Sequence, residues 1–79
     1  MGKITVDPRP GQRLREVRQH REISPANLAK AIGVSVGTIQ HYEHGRTRIT
    51  DNRLDQLAQA LSCGRLELLM PPGSPPPPY

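Results

Sequence analysis

Gln40, His41 and His44 stand in one short stretch that runs on into Arg46 and Arg48. These residue types are equipped to read a hydrogen-bonding partner rather than to break a bond. A glutamine amide donates and accepts at once, a neutral imidazole does both at its two nitrogens, and a guanidinium only donates. That set fits the edge of a base in the major groove with phosphates on either side. Val36, a few residues earlier, suits a thymine methyl. The same residues would also make an ordinary solvated helix face. Catalysis is poorly provided for, because His20, His41, His44 and Cys63 form no triad or ligand pattern. His41 and His44 share a helix face at a spacing compatible with a metal ion, but groove or solvent exposure is the simpler reading. No catalytic residue, metal or cofactor is therefore expected, and the chain is not expected to be an enzyme.

To act together, these side chains must project from one rigid element, and the flanking residues supply it. Ser35 caps a helix running to about His44, where Gly45 stops it. With Ile39 and Tyr42 inward, the turn of 100° per residue leaves Val36, Gly37, Gln40, His41 and His44 outward. The preceding helix starts with Ser24 as cap and Pro25 in its first turn, and Gly33 ends it. Leu28, Ala29 and Ile32 give its buried side. Two helices joined by a short turn containing glycine define a helix-turn-helix, whose second helix enters the major groove. Ser35 and Thr38 at the start of that helix, His44 at its end, and Arg46, Arg48 and Arg13 around it are the candidates for phosphate contacts. Such contacts position a protein without reading sequence.

The remaining elements follow from the same periodicity. Leu14 and Val17 mark a first helix to His20, begun by Asp7-Pro-Arg-Pro10. Thr50 or Asp51 caps a fourth helix with Leu54, Leu57, Ala58 and Leu61 on its inner face. A fifth, from about Gly64 to Leu69, offers Leu66, Leu68 and Leu69 before Pro71 ends it. The expected fold is all-α, a compact five-helix bundle.

Length and composition bound the rest. Seventy-nine residues suit one domain. Residues 1–8, including the strand-like Lys3-Ile-Thr-Val6, are expected to form a flexible arm and 9–70 the domain. Residues 71–79 are expected to form a disordered proline-rich tail. About 60 residues then remain to build a core, too few for a roomy substrate cleft. One cysteine rules out an intramolecular disulfide and points to the reducing cytoplasm. The longest apolar run, Leu68-Leu-Met70, is far too short to span a membrane. A net charge of +4 favours a polyanionic partner, and the scarcity of aromatics disfavours single-stranded nucleic acid.

Many spaced landmarks then occur in a familiar order. They are Leu14-Arg-Glu-Val-Arg18, Ile23-Ser24, Leu28-Ala29, Ile32-Gly-Val-Ser35, Thr38-Ile39, Tyr42-Glu-His-Gly-Arg46 and Leu57-Ala-Gln-Ala-Leu61. The chain from about Gly11 to Leu69 resembles the phage-repressor and Cro-like (Xre-type) helix-turn-helix domains of bacteria and phages, a lambda-repressor-like DNA-binding fold. Its bare size is similar to the controller proteins of restriction–modification systems. The resemblance implies an ion pair between Arg18 and Glu43, base readers at Val36, Gly37 and His41 with Gln40 beside them, and phosphate contacts from Ser35, Arg46 and Arg48. Two departures matter: Pro25 stands where a phosphate-touching glutamine is common, and Gly37 where a long polar reader is common.

Together these readings lead to an expected cytoplasmic transcriptional regulator that binds double-stranded DNA sequence-specifically. It would act as a homodimer on a palindromic operator, with RNA polymerase as a further contact. Leu66, Met70 and Cys63, near the last helix, are the expected dimer interface. The alternative is an antitoxin-like or adaptor-like module whose main task is to bind a protein partner and that also binds DNA.

Overall fold

In a computed structural model, residues 9–77 are described and form five helices: α1 (Arg9–His20), α2 (Pro25–Ile32), α3 (Val36–Glu43), α4 (Asp51–Ala60) and α5 (Arg65–Leu69). No strand occurs among the described residues. The N-terminal arm, residues 1–8, lies outside them, as do residues 78–79.

Local chemistry sets the boundaries. Ser24, Ser35 and Thr50 each take extended backbone angles and accept a hydrogen bond from the amide three residues on. Each bond satisfies one of the amides that a helix start leaves unpaired. α2 stops at Gly33, whose φ of +75° lets the Val34 amide return to the Ala29 carbonyl at 3.0 Å. α5 has no such support: it is five residues long, and Gly64 caps it without a side-chain bond. So short a helix is not stable by itself and must be held by its neighbours.

The helices close into a ring, each packed on the next in the order α1, α3, α2, α4, α5 and back to α1. At its centre lie Leu14, Val17, Leu28, Ala29, Ile39, Tyr42, Leu54, Leu57, Ala58, Leu61 and Leu68. Ile23, Ile32, Val34, Ile49 and Cys63 pack around them, half-buried. With no Phe or Trp available, the core is aliphatic apart from Tyr42 and thin, so polar ties between helices matter more than usual. Two of those ties bear on expectations from sequence.

The first correction concerns Arg13, expected to reach a DNA phosphate. Its side chain is only 1 % exposed, and it tethers the C-terminal end of the chain. Nε donates to the Glu67 carbonyl at 2.7 Å, Nη1 to the Ser74 carbonyl at 3.0 Å and Nη2 to the Pro75 carbonyl at 2.8 Å. A guanidinium spent on three carbonyls inside the fold has no reach left for a phosphate. The second tie concerns residues 71–77 of the expected proline-rich tail, which lie against the bundle. The Gly73 amide donates to the Glu16 carboxylate at 2.9 Å, Ser74 turns back onto Pro71, and Pro77 is buried. Leu66 and Leu69, both offered to the core by their spacing, are exposed, and only Leu68 on α5 points inward.

Candidate nucleic-acid interface

α2 and α3 are joined by the three residues Gly33, Val34 and Ser35, and α3 is fixed from behind. Ile39 is fully buried and Tyr42 nearly so. α1 comes so close at Gly11 that a Cβ there would lie 1.9 Å from the Tyr42 carbonyl oxygen. The bare Gly11 backbone thus rests on the last turn of α3.

An ion pair secures the same end. Arg18 Nε donates to Glu43 Oε2 at 2.6 Å and Nη2 to Oε1 at 3.1 Å, while Nη1 reaches the Ile23 carbonyl at 2.9 Å. Both side chains are about nine-tenths buried. The fork geometry satisfies both carboxylate oxygens, which a buried anion needs. α1 therefore holds α3 by steric contact and by charge on one side only.

The other side of α3 is open. Val36, Gln40, His41 and His44 are exposed, with Gly37 and Thr38 partly so, and Arg46 and Arg48 follow in an exposed loop. Gly37 is open for a different reason from Gly11. A Cβ there would meet nothing nearer than Ser35 Oγ at 3.8 Å, so the fold has room for a side chain at that position. Ser35 is occupied locally, since its Oγ takes the Thr38 amide at 3.3 Å and lies 3.0 Å from Thr38 Oγ1.

His44 is oriented by the helix it ends. Its Nδ1 lies 2.7 Å from the Gln40 carbonyl oxygen. A carbonyl can only accept, so Nδ1 carries the proton and Nε2 faces away.

The surface thus holds Val36, Gly37, Gln40 and His41 on one face, with Ser35, Thr38, His44, Arg46 and Arg48 at its edges. Arg13 is not among them. Among the described residues no three of His, Cys, Asp and Glu gather as a metal site. No helix there is long and apolar enough to cross a membrane. Cys63 lies against the core, and burial pushes its thiol pKa up from the ordinary value, with Arg21 pulling the other way. A raised thiol is a poor nucleophile at neutral pH. Leu66, Leu69 and Met70 make a separate apolar face on and just after α5, 76 %, 52 % and 37 % exposed.

Sequence reasoning missed the role of Gly11 and the burial of Arg13. Arg13 did carry a signal. It lies four residues before Val17 and so shares that residue's side of α1, in a chain short of bulky apolar side chains.

A family model described as helix-turn-helix matches residues 14–68 of the chain. An uncharacterized transcriptional regulator in the ATPase CF(0) region of Rhodospirillum rubrum is 46 % identical over 57 residues, covering 72 % of this chain and 53 % of that protein. The chain thus spans about half the length of this curated relative. Two solved structures share the fold. The restriction-modification controller protein C.AhdI from Aeromonas hydrophila has a TM-score of 0.72 and 32 % identity, over 75 % of this chain and 89 % of that one. The P22 c2 repressor, in complex with a synthetic operator, has a TM-score of 0.68 and 34 % identity over the same shares.

Proposed function

The chain belongs to the helix-turn-helix family, and from that premise we propose that it is a transcriptional regulator that binds double-stranded DNA sequence-specifically. Two copies bind a two-fold operator, each laying α3 in the major groove of one half-site. The half-sites then lie about one helical turn, ~34 Å, apart. The observation that carries this reading is the asymmetry of α3. One side is fixed by Ile39, Tyr42, Gly11 and the Arg18–Glu43 pair, and the other presents Val36, Gln40 and His41 to the outside. The similarity to a repressor bound to a synthetic operator supports the same assignment.

Roles follow from chemistry. Gln40 pairs its amide with an adenine edge, His41 with a guanine edge, and Val36 packs on a thymine methyl. Gly37 lets the helix backbone come close to the bases. Ser35, Thr38, His44, Arg46 and Arg48 fix register on the phosphates. The second copy is held through Leu66, Leu69 and Met70, with Cys63 beneath. Burying such a face offsets its exposure at roughly 25 cal/mol per Å² of apolar area.

Alanine substitutions separate reading from positioning. Gln40→Ala and His41→Ala are each expected to lose about 1–3 kcal/mol of discrimination between the preferred site and variants at one or two base pairs. Arg46→Ala is expected to weaken binding to all duplexes alike and to lower the slope of log affinity against log salt by about one. Fluorescence anisotropy on specific and random duplexes at several salt concentrations measures both. Equal losses on both duplexes for all three variants would contradict the assignment.

A further inference from the structure

We infer that Arg13 and Glu16 are positioning residues for the pairing face on α5, acting through the proline segment 71–77. The inference rests on the dimeric reading above and adds to it what sets the angle of that face. The segment lies beyond residues 14–68, the part that matches the family model.

The chemistry of the contact is complementary. Prolines bring carbonyl acceptors without amide donors, and a guanidinium brings donors without acceptors. Arg13 uses this to join two backbone segments, taking the Glu67 carbonyl of α5 with Nε and those of Ser74 and Pro75 with its two terminal nitrogens. Glu16, one turn further along α1, completes the seat. Its two carboxylate oxygens each lie 2.9 Å from the Gly73 amide nitrogen, and Oε1 lies 3.4 Å from Arg13 Nη1. The seated segment is itself preformed. Ser74 closes a turn onto Pro71 through both its amide and its hydroxyl, and Gly73 supplies the positive φ of +88° that the turn uses.

α5 depends on this seat because it has little of its own. Five residues without a side-chain cap are held by Leu68 in the core, by Arg65 on Asp51 at 2.9 Å, and by Arg13. The three apolar residues that face outward, Leu66, Leu69 and Met70, ride on this helix and its exit. Should the segment lift, Arg13 loses two of its three carbonyl acceptors. Its hold on α5 then rests on Glu67 alone, through the carbonyl at 2.7 Å and the carboxylate at 3.5 Å, and the orientation of α5 is less tightly set.

Glu16→Ala in the full chain tests this, because Glu16 is half-exposed and lies outside the core and the α3 surface. Two quantities are read well below the melting temperature: amide hydrogen exchange at Gly73 by NMR, and the dimer dissociation constant by sedimentation equilibrium. The wild-type Gly73 amide is expected to exchange more slowly than in a free peptide. In Glu16→Ala it should exchange at the free rate, with the dimer weakened on the order of tenfold, as befits the loss of a charge-assisted bond. Glu16→Gln keeps one acceptor for Gly73 and should recover part of the dimer affinity. A purely structural role for Glu16 would lower the melting temperature and leave the dimer constant unchanged. Wild-type Gly73 exchanging freely, or an unchanged dimer constant in Glu16→Ala once Gly73 is freed, would overturn the inference alone. A wild-type chain that stays monomeric at all concentrations would instead remove the dimeric reading, and this inference with it.

Discussion

Gly11→Ala is expected to lower the melting temperature by well over 10 °C or to prevent folding. Helix propensity points the other way, since alanine is favoured over glycine by up to about 1 kcal/mol in a helix interior. Sterics decide the sign. The added Cβ would lie 1.9 Å from the Tyr42 carbonyl oxygen, 3.0 Å from its carbon and 3.1 Å from the Glu43 carbonyl oxygen. All three atoms are backbone, and the Tyr42 oxygen also accepts the Gly45 amide at 3.1 Å, so it cannot swing aside. α1 must therefore retreat from α3 by more than an ångström. That movement pulls Leu14 off the core and stretches the Arg18–Glu43 pair. Overpacking typically costs 1–3 kcal/mol where side chains can adjust; here none can, so about 3 kcal/mol or more is expected. In a small domain each kcal/mol corresponds to roughly 4–8 °C. Circular dichroism melts measure the shift, and a melting temperature at or above wild type would contradict the close approach.

Glu43→Ala is expected to cost about 3–5 kcal/mol, because it leaves the Arg18 guanidinium buried with only the Ile23 carbonyl for a partner. The comparison that isolates the mechanism is the double variant Arg18→Met, Glu43→Ala. Removing both charges leaves a packing defect but no stranded cation, so the double variant should be more stable than Glu43→Ala alone. Urea midpoints for the wild type and the two variants measure this. A double variant less stable than Glu43→Ala would mean that packing, rather than the unpaired charge, sets the loss. Base preference should change little in any Glu43→Ala protein that remains folded, since Glu43 faces α1 and not the open side of α3.

These two positions also show which parts of the molecule were legible in the sequence. Ser24, Pro25, Gly33 and Ser35 fixed the limits of α2 and the start of α3, because capping is decided by residues next to the helix end. The open face of α3 was legible for a similar reason: once Ile39 and Tyr42 are inward, helix geometry assigns every other position. Gly11 carried no such sign. A glycine in a first turn reads as a weak helix former, and only the arrival of a carbonyl from residue 42 makes it indispensable. Arg13 and the proline segment were hard to read for one reason. A basic residue near a helix start suggests a phosphate, and a proline run suggests disorder, until each is seen to supply what the other lacks. The local rules held wherever the partner was local, and they failed where the partner lay some 60 residues away, as for Arg13 with Ser74 and Pro75.

The central claim is that α3 reads a base sequence from each half of a two-fold site. Repeated selection of the purified chain on random-sequence duplexes tests it most directly, because binding, symmetry and spacing emerge from one measurement. The expected result is a site of two inverted half-sites about one helical turn apart. Positions read by Gln40 and His41 should lose their enrichment when the selection is repeated with Gln40→Ala or His41→Ala. Recovery of no enriched sequence at moderate salt, or of the same sequence from wild type and both variants, would contradict it.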